Sequence, residues 1–236
     1  MPKPAPSRRS EILRLKLELA RPEYDGATRA LWRHAHLAEL FPDYLFRIHG
    51  IIRASVPLME AALERATALA ASDPAAAALA AYLGHHVNEE RHHDEWLLDD
   101  LEVLGVSRAS VKARRPSADV AALVGAQYYW IHHFHPVAIM GYIAVLEGTP
   151  PTEDHIAAVM KRTGLPPLAF RTFIKHARLD PHHRDDLDAA LDTMPLGPEL
   201  EELVTTNALE TQHLLARTLR EVVTERSARS RRSVAS

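Results

Sequence analysis

The stretch His176-Ala-Arg-Leu-Asp180-Pro-His-His183 decides how this sequence is interpreted. On an α-helix, His176, Asp180 and His183 stand at positions i, i+4 and i+7, within roughly 60° of one another on one face. The rest of that face is apolar, which predicts that it points into the protein interior. Burying three such polar side chains without partners would be costly, whereas a bound metal ion would satisfy all three. The stretch therefore predicts a metal-binding helix.

A second cluster lies upstream, in His85-His-Val-Asn-Glu-Glu-Arg-His-His-Asp-Glu-Trp96. Glu90 falls near the centre of the apolar stripe of this segment, and His93 follows it at i+3. Side chains at this spacing are adjacent on a helix, so both can reach one metal ion. His86, one turn before Glu90, is an additional candidate ligand, whereas His92 is expected to face solvent. A solvated polar face would not explain Glu90 among leucines.

Glu147 is the third candidate ligand position, and it ends the apolar segment that begins at Gly141. On its own it is as compatible with a surface position as with a ligand. However, the other two clusters lack a bridging carboxylate from a third helix. This gap favours Glu147 as a metal ligand.

The donor set indicates which metal fits. The chain has no cysteine, so disulfides, thiolate metal sites and cysteine nucleophiles are excluded. Three histidines and three carboxylates exceed the four ligands of a tetrahedral zinc site. Mixed nitrogen and oxygen donors suit iron or manganese, and two such ions ~3.5–4 Å apart can share carboxylates. A ferritin-like bundle would carry two Glu-x-x-His motifs, but this sequence has one.

The whole-chain composition is that of an ordinary soluble domain. The 236 residues are 47% hydrophobic and 25% charged, with a formal net charge of −3. This balance gives no reason to expect nucleic acid or an anionic membrane as a partner. No apolar run reaches the length of a membrane span and no secretory segment begins the chain, so a cytoplasmic location is expected.

Helical periodicity without strand alternation predicts an all-α, single-domain bundle of about seven to eight helices. Residues 1–8 are predicted to be a disordered N-terminus, residues 9–225 the helical domain, and residues 226–236 a basic flexible tail. Pro136 is expected to bend the fifth helix, and Asp180-Pro181 is expected either to lie within the seventh or to begin a new segment. The predicted helices span about 9–20, 26–40, 44–71, 74–104, 118–147, 152–163, 166–193 and 198–225.

The three motifs, in this order, resemble the haem-oxygenase-like di-iron oxidases and oxygenases, also called iron-containing redox enzymes. The resemblance covers roughly residues 40–223. It rests on Glu90-Arg-His-His93-Asp-Glu-Trp, on Glu147 after Tyr-Ile-Ala-Val-Leu, and on His176-x-x-x-Asp180-x-x-His183.

The resemblance implies a haem-oxygenase-like bundle of about seven helices and a non-haem cofactor of two iron ions that cycle between Fe2+ and Fe3+. It also implies O2 as co-substrate, an external electron donor and a homodimer. Members cleave C–C bonds, desaturate or oxygenate nitrogen in amino-acid-like or fatty-acid-like compounds. The walls of the substrate pocket are expected on the helix faces that carry Met59, Met140, Ile143, Phe173 and Asn207. The metal ligands and catalytic residues implied are Glu90, His93, Glu147, His176, Asp180 and His183, with His86 as a further candidate.

Several alternatives remain open from the sequence. A haem oxygenase would need one axial histidine, for which His49 is available, but it would leave Glu90 and Asp180 without a purpose. A thiaminase-type hydrolase of related fold would be expected to use a cysteine. A cofactorless oxidase that uses histidines as acids and bases remains open. So does a non-catalytic iron-binding helical protein.

Overall fold

A computed structural model describes residues 8–148 and 151–234, and all regular elements within these ranges are helical. The prediction of an all-α protein is confirmed. Residues 1–7, most of the predicted disordered N-terminus, lie outside the described residues. The α-helices are α1 (Arg9–Ala20), α2 (Pro22–Trp32), α3 (Leu37–Leu69), α4 (Pro74–Glu90), α5 (His93–Val103), α6 (Arg108–Ala113), α7 (Ala118–His133), α8 (Ile139–Leu146), α9 (Glu153–Thr163), α10 (Arg171–Thr193) and α11 (Pro198–Val234).

The described residues form eleven α-helices, so the predicted number of seven to eight is wrong. The expected helix over 74–104 is divided into α4 and α5, and the one over 118–147 into α7 and α8. The polar connector after α5 adds the short helix α6. Two 3-10 helices, Pro136–Ala138 and Pro167–Phe170, precede α8 and α10. The last helix was expected to end near residue 225, but α11 continues to Val234.

The break between α4 and α5 falls at Arg91 and His92. His92 has a φ of 71° and is the one non-glycine residue with positive φ in the described part of the chain. The two helices serve different parts of the core, since Leu83 of α4 and Leu97 of α5 belong to separate apolar clusters. One straight helix would not bury both sets of leucines.

The interval between α7 and α8 contains Pro136, which has no amide N–H to continue a helix. His135 caps the next turn, because its Nδ1 accepts the Val137 amide at 3.1 Å while its Nε2 donates to Asp73 at 3.0 Å. Helix α8 then packs closely on α11, where a Cβ at Gly141 would lie 2.4 Å from the Val204 carbonyl oxygen. Glycine is therefore required for the approach that places the end of α8.

Helix α10 runs without interruption from Arg171 to Thr193, so Asp180-Pro181 does not begin a new segment. Its first turn is fixed by the fully buried Asp100 of α5, whose carboxylate accepts the Thr172 amide at 3.0 Å. Among the described residues, none of the helices combines the length and apolar composition that a membrane span requires.

Candidate metal centre

Glu90 lies at the centre of a cluster formed by α4, α5 and α10. Its two carboxylate oxygens lie 3.0 Å from Nδ1 of His93 and 3.3 Å from Nδ1 of His183. The ring of His176 meets that of His93 edge to face, with centroids 5.1 Å apart. Side chains that are 93 residues apart in the sequence are thus brought together around one carboxylate.

Glu147 approaches the cluster from the C-terminal end of α8, where it is the C-cap residue and is buried. The Nε2 atom of His86 donates to Glu147 Oε1 at 2.9 Å. His86, Glu90 and Glu147 each offer a ligand atom, and these atoms lie within 4.8 Å of one another. The structure therefore places His86 inside the cluster, in contact with the Glu147 carboxylate at the end of α8.

Several polar atoms of the cluster have no hydrogen-bond partner within the described part of the chain. They are Glu147 Oε2, Asp180 Oδ1, and Nδ1 of both His93 and His183. The two imidazole nitrogens lie close to Glu90, but their alignment does not satisfy a hydrogen bond. Buried polar atoms are nearly always paired, so several unpaired nitrogen and oxygen atoms within one buried cluster are what a metal-binding site predicts. The residues present fit a metal ion held by nitrogen and oxygen donors.

The carboxylates repel one another in this buried space. Burial raises the pKa of Asp180 to about 8, and the charges of Glu147 and Glu90 act in the same direction. Burial also raises the pKa of Glu147, although its bond to His86 opposes the shift. Burial opposes ionisation of Glu90 as well, but His93 and the other histidines outweigh it and lower its pKa. Without a cation, the cluster therefore retains protons that metal binding would displace.

His176 is oriented by its own helix. Its Nδ1 donates to the Thr172 carbonyl oxygen at 2.9 Å, which leaves Nε2 available to bind a metal ion. Burial lowers the pKa of His176 and so favours the neutral, ligating form. Trp96 stacks on His93 with ring centroids 4.0 Å apart and meets His176 edge to face. The indole therefore orients two predicted ligands that come from different helices.

Two cavities adjoin the cluster. A small one of about 40 Å³ is lined by Ile52, Ser55, Met59, Glu90, Tyr142, Ile143, Leu146, Glu147, His176 and Asp180. A larger one of about 410 Å³ extends from His176 and Asp180 towards α1 and α2, with Tyr24, Trp32, Tyr44 and Phe173 among its walls. The cavities share Ile52, Leu146, His176 and Asp180, so these four residues form their boundary.

The sequence also suggested five wall residues for a substrate pocket. Met59 and Ile143 line the small cavity and Phe173 lines the large one. Met140 and Asn207 are buried in the core instead, where Asn207 donates to Gln127 at 2.8 Å.

Sequence reasoning assigned no role to Ser55, Tyr142, Trp96 or Asp100. Ser55 could have been identified as a candidate from the sequence, because it is a polar residue on the apolar stripe of its helix. The partners of the other three depend on contacts between distant helices, which spacing along the chain does not reveal.

A sequence model of the family described as iron-containing redox enzyme matches residues 29–216. No curated protein matches the chain in sequence. Two solved structures show the fold that it shares. A domain of unknown function with a haem-oxygenase-like fold from Shewanella denitrificans is 20% identical, with a TM-score of 0.71 over 93% of this chain and 90% of that one. A TenA homologue from Pseudomonas syringae pv. tomato is 13% identical, with a TM-score of 0.64 over 89% of this chain and 93% of that one.

Proposed function

Because the chain belongs to the iron-containing redox enzymes, we propose that it is a non-haem di-iron oxidase or oxygenase that uses O2 to oxidise a small organic substrate. One observation carries this proposal: histidines and carboxylates from α4, α5, α8 and α10 meet in one cluster, in which several buried nitrogen and oxygen atoms have no hydrogen-bond partner among the described residues. The proposed ligands are Glu90, His93, Glu147, His176, Asp180 and His183, with His86 as a further candidate.

The charge of the cluster supports two divalent ions. The carboxylates of Glu90, Glu147 and Asp180 carry three negative charges when ionised, and neutral histidines add none. Three charges offset most of the four positive charges of two ferrous ions. When bound, two ferrous ions would supply electrons for the reduction of O2, and turnover would require an external electron donor.

The residues around the cluster have separate tasks. Trp96 and the Thr172 carbonyl hold the rings of His93 and His176 in position. Four apolar residues of the small cavity, Ile52, Met59, Ile143 and Leu146, lower the local polarity, which strengthens the electrostatic interactions inside it. Asp180 and His176 border both cavities, and therefore mark where a substrate in the large cavity would meet the metal centre.

The large cavity suits an organic acid with an apolar body, such as an amino-acid-like or fatty-acid-like compound. Its walls are mainly apolar and aromatic, and Arg14, Arg21 and Arg184 border it. Arg14 is paired with Asp188 at 2.5 Å, whereas Arg184 lies 4.0 Å from Asp185, at the outer limit of an ion pair. A substrate carboxylate would provide a better partner for Arg184. C–C cleavage, desaturation and N-oxygenation are the reactions to test.

The test starts with protein that has been reconstituted anaerobically with ferrous iron and desalted. About two irons per chain are expected, together with O2 consumption that accelerates when the right acid is added from a panel of amino and fatty acids. Protein that retains no iron would contradict the proposal, and one firmly bound iron would replace it with a mononuclear site. Iron retention without substrate-dependent O2 consumption would favour a non-catalytic iron-binding protein.

A further inference from the structure

Two hydroxyl groups border the small cavity beside the proposed ligands. Ser55 of α3 and Tyr142 of α8 are 6% and 1% exposed, and their oxygens lie 2.8 Å apart. Both line the same cavity as Glu90, Glu147 and Asp180. The remaining lining residues are His176 and apolar side chains. Ser55 and Tyr142 are thus the hydroxyl donors of this chamber among the described residues.

One of the two hydroxyl hydrogens of Ser55 and Tyr142 has no well-placed acceptor among the described residues. Each hydroxyl has one O–H, and the bond between the two oxygens takes one of these hydrogens. The other acceptor near Tyr142 is the Ile51 carbonyl oxygen at 3.5 Å, which is the outer limit of a hydrogen bond. If Ser55 donates to Tyr142, the tyrosine O–H is left with this long contact. An acceptor in the cavity would bind that hydrogen more strongly.

Tyr142 remains protonated under ordinary conditions. Burial raises its pKa above the usual value for tyrosine, and the charges of Glu90 and Glu147 act in the same direction, against the bond from Ser55. The phenol therefore acts as a donor and does not become an additional anionic ligand.

The size of the cavity indicates which acceptor fits. At about 40 Å³ it exceeds the ~10–15 Å³ that one water molecule needs, but it has about a tenth of the volume of the large cavity. It therefore suits a molecule of a few heavy atoms, whereas an organic acid has the larger cavity available.

From these observations we infer that Tyr142, held by Ser55, is a catalytic residue that donates a hydrogen bond to the oxygen atoms of O2 in the small cavity. This inference rests on the proposed function. As O2 is reduced, negative charge develops on its oxygens, and a preoriented donor in a buried site stabilises that charge. The Oη–H bond is not broken in this step, and the hydrogen remains on Tyr142.

Azide, a small anion that binds ferric iron, provides a probe that is independent of turnover. Its affinity is measured by absorption titration of the iron-loaded, oxidised protein, and its stretching frequency by infrared spectroscopy in H2O and D2O. Iron content and circular dichroism are measured on the same samples. Tyr142→Phe should weaken azide binding about tenfold or more, because a hydrogen bond to a charged group is lost. The D2O-induced shift of the azide stretch should disappear with it.

Two further variants separate donation from packing. Tyr82→Phe is the matched control, because Tyr82 is a largely buried tyrosine that stacks on His86 but is not among the residues that line the small cavity. It should keep both azide affinity and the D2O shift. Ser55→Ala should weaken azide about fivefold and retain the shift, since it loosens the donor without removing it.

Three results would overturn the inference. Iron-loaded Tyr142→Phe that binds azide normally and keeps the D2O shift would overturn the inference and leave the proposed function intact. An equal loss in Tyr82→Phe would also overturn it, because the effect would then come from packing. Wild-type protein that holds no iron would overturn both.

Discussion

The two halves of the candidate metal centre are built on different backbones. Between Glu90 and His93 the chain leaves one helix, passes through a left-handed residue and enters another. His176, Asp180 and His183, in contrast, lie on the uninterrupted helix α10. The geometry of the first half therefore depends on how α4 and α5 pack, whereas that of the second depends on helix register and on its anchor at Asp100. One half is set by tertiary structure and the other mainly by local structure.

The largest loss of activity is expected from histidine substitutions, and it should differ sharply between neighbouring histidines within each half. His93→Ala and His183→Ala each remove a proposed ligand, and each should reduce iron-dependent O2 consumption by at least about 100-fold. His92→Ala and His182→Ala are the matched controls, because both side chains are exposed. These two should retain activity, with iron content and O2 uptake as the measurements. Equal damage from His92→Ala and His93→Ala would mean that the backbone break, and not ligation, is what the first half contributes.

Asp180→Asn tests the charge of the second half, and we expect strong loss of iron binding with little change in helical circular dichroism. Metal-free wild-type protein should lose stability as the pH rises from about 4 to 8. Over that range the unfolded carboxyl ionises while the folded one, with its pKa raised to about 8, keeps its proton. Each pH unit costs up to about 1.4 kcal/mol, and the variant should lack this contribution.

Urea unfolding of metal-free wild-type and Asp180→Asn protein at several pH values measures that difference. Other groups titrate in both proteins, so the difference between the two slopes is the informative quantity. Identical slopes would show that Asp180 is not held protonated in the buried cluster.

Pro181→Ala tests the continuity of α10. A proline within a helix lacks the amide hydrogen that would bond to the fourth residue before it, at a cost of about 3 kcal/mol. Alanine should restore that bond and stabilise the metal-free protein by up to this amount, as measured by urea unfolding. Destabilisation would instead indicate that α10 requires the proline at this position, and that the helix carrying His176, Asp180 and His183 does not have regular α-helical hydrogen bonding there.

The smallest effect should come from His92→Gly in the first half. A left-handed backbone costs a non-glycine residue about 1–2 kcal/mol, which glycine would relieve in part. We expect stabilisation of roughly 1 kcal/mol in urea unfolding and unchanged iron content. Arg91→Gly is the control, because Arg91 has a negative φ and gains nothing from glycine. If His92→Gly destabilises the protein, the break is not a strained feature.

Burial of the candidate ligand residues was predictable because apolar neighbours at helical spacing surround Glu90, Asp180 and His183. The family was predictable for a related reason, since the order of the three motifs is specific. The break at His92 was not predictable, because residues 79–101 keep helical periodicity without glycine or proline near it. It follows from the two apolar clusters that α4 and α5 serve.

Contacts between distant helices are a second feature that could not be predicted from the sequence. The bond between His86 and Glu147 joins residues 61 apart, and the bond between Ser55 and Tyr142 joins residues 87 apart. Spacing within a helix carries no information about either pair. The role of His86 therefore stayed open at the sequence level, and the structure shows it bonded to a carboxylate.

Helix α1 lies outside residues 29–216, the part of the chain that matches the family, yet it contributes Arg14, Leu17 and Glu18 to the large cavity. It is fastened to α10 by the Arg14–Asp188 pair and by the bond from the Ser10 amide to Asp192. One wall of the large cavity thus comes from a helix outside the family match, while the proposed ligands all lie within it. Substitutions on the cavity face of α1 are therefore expected to change which molecule fits the large cavity while leaving the candidate metal ligands untouched.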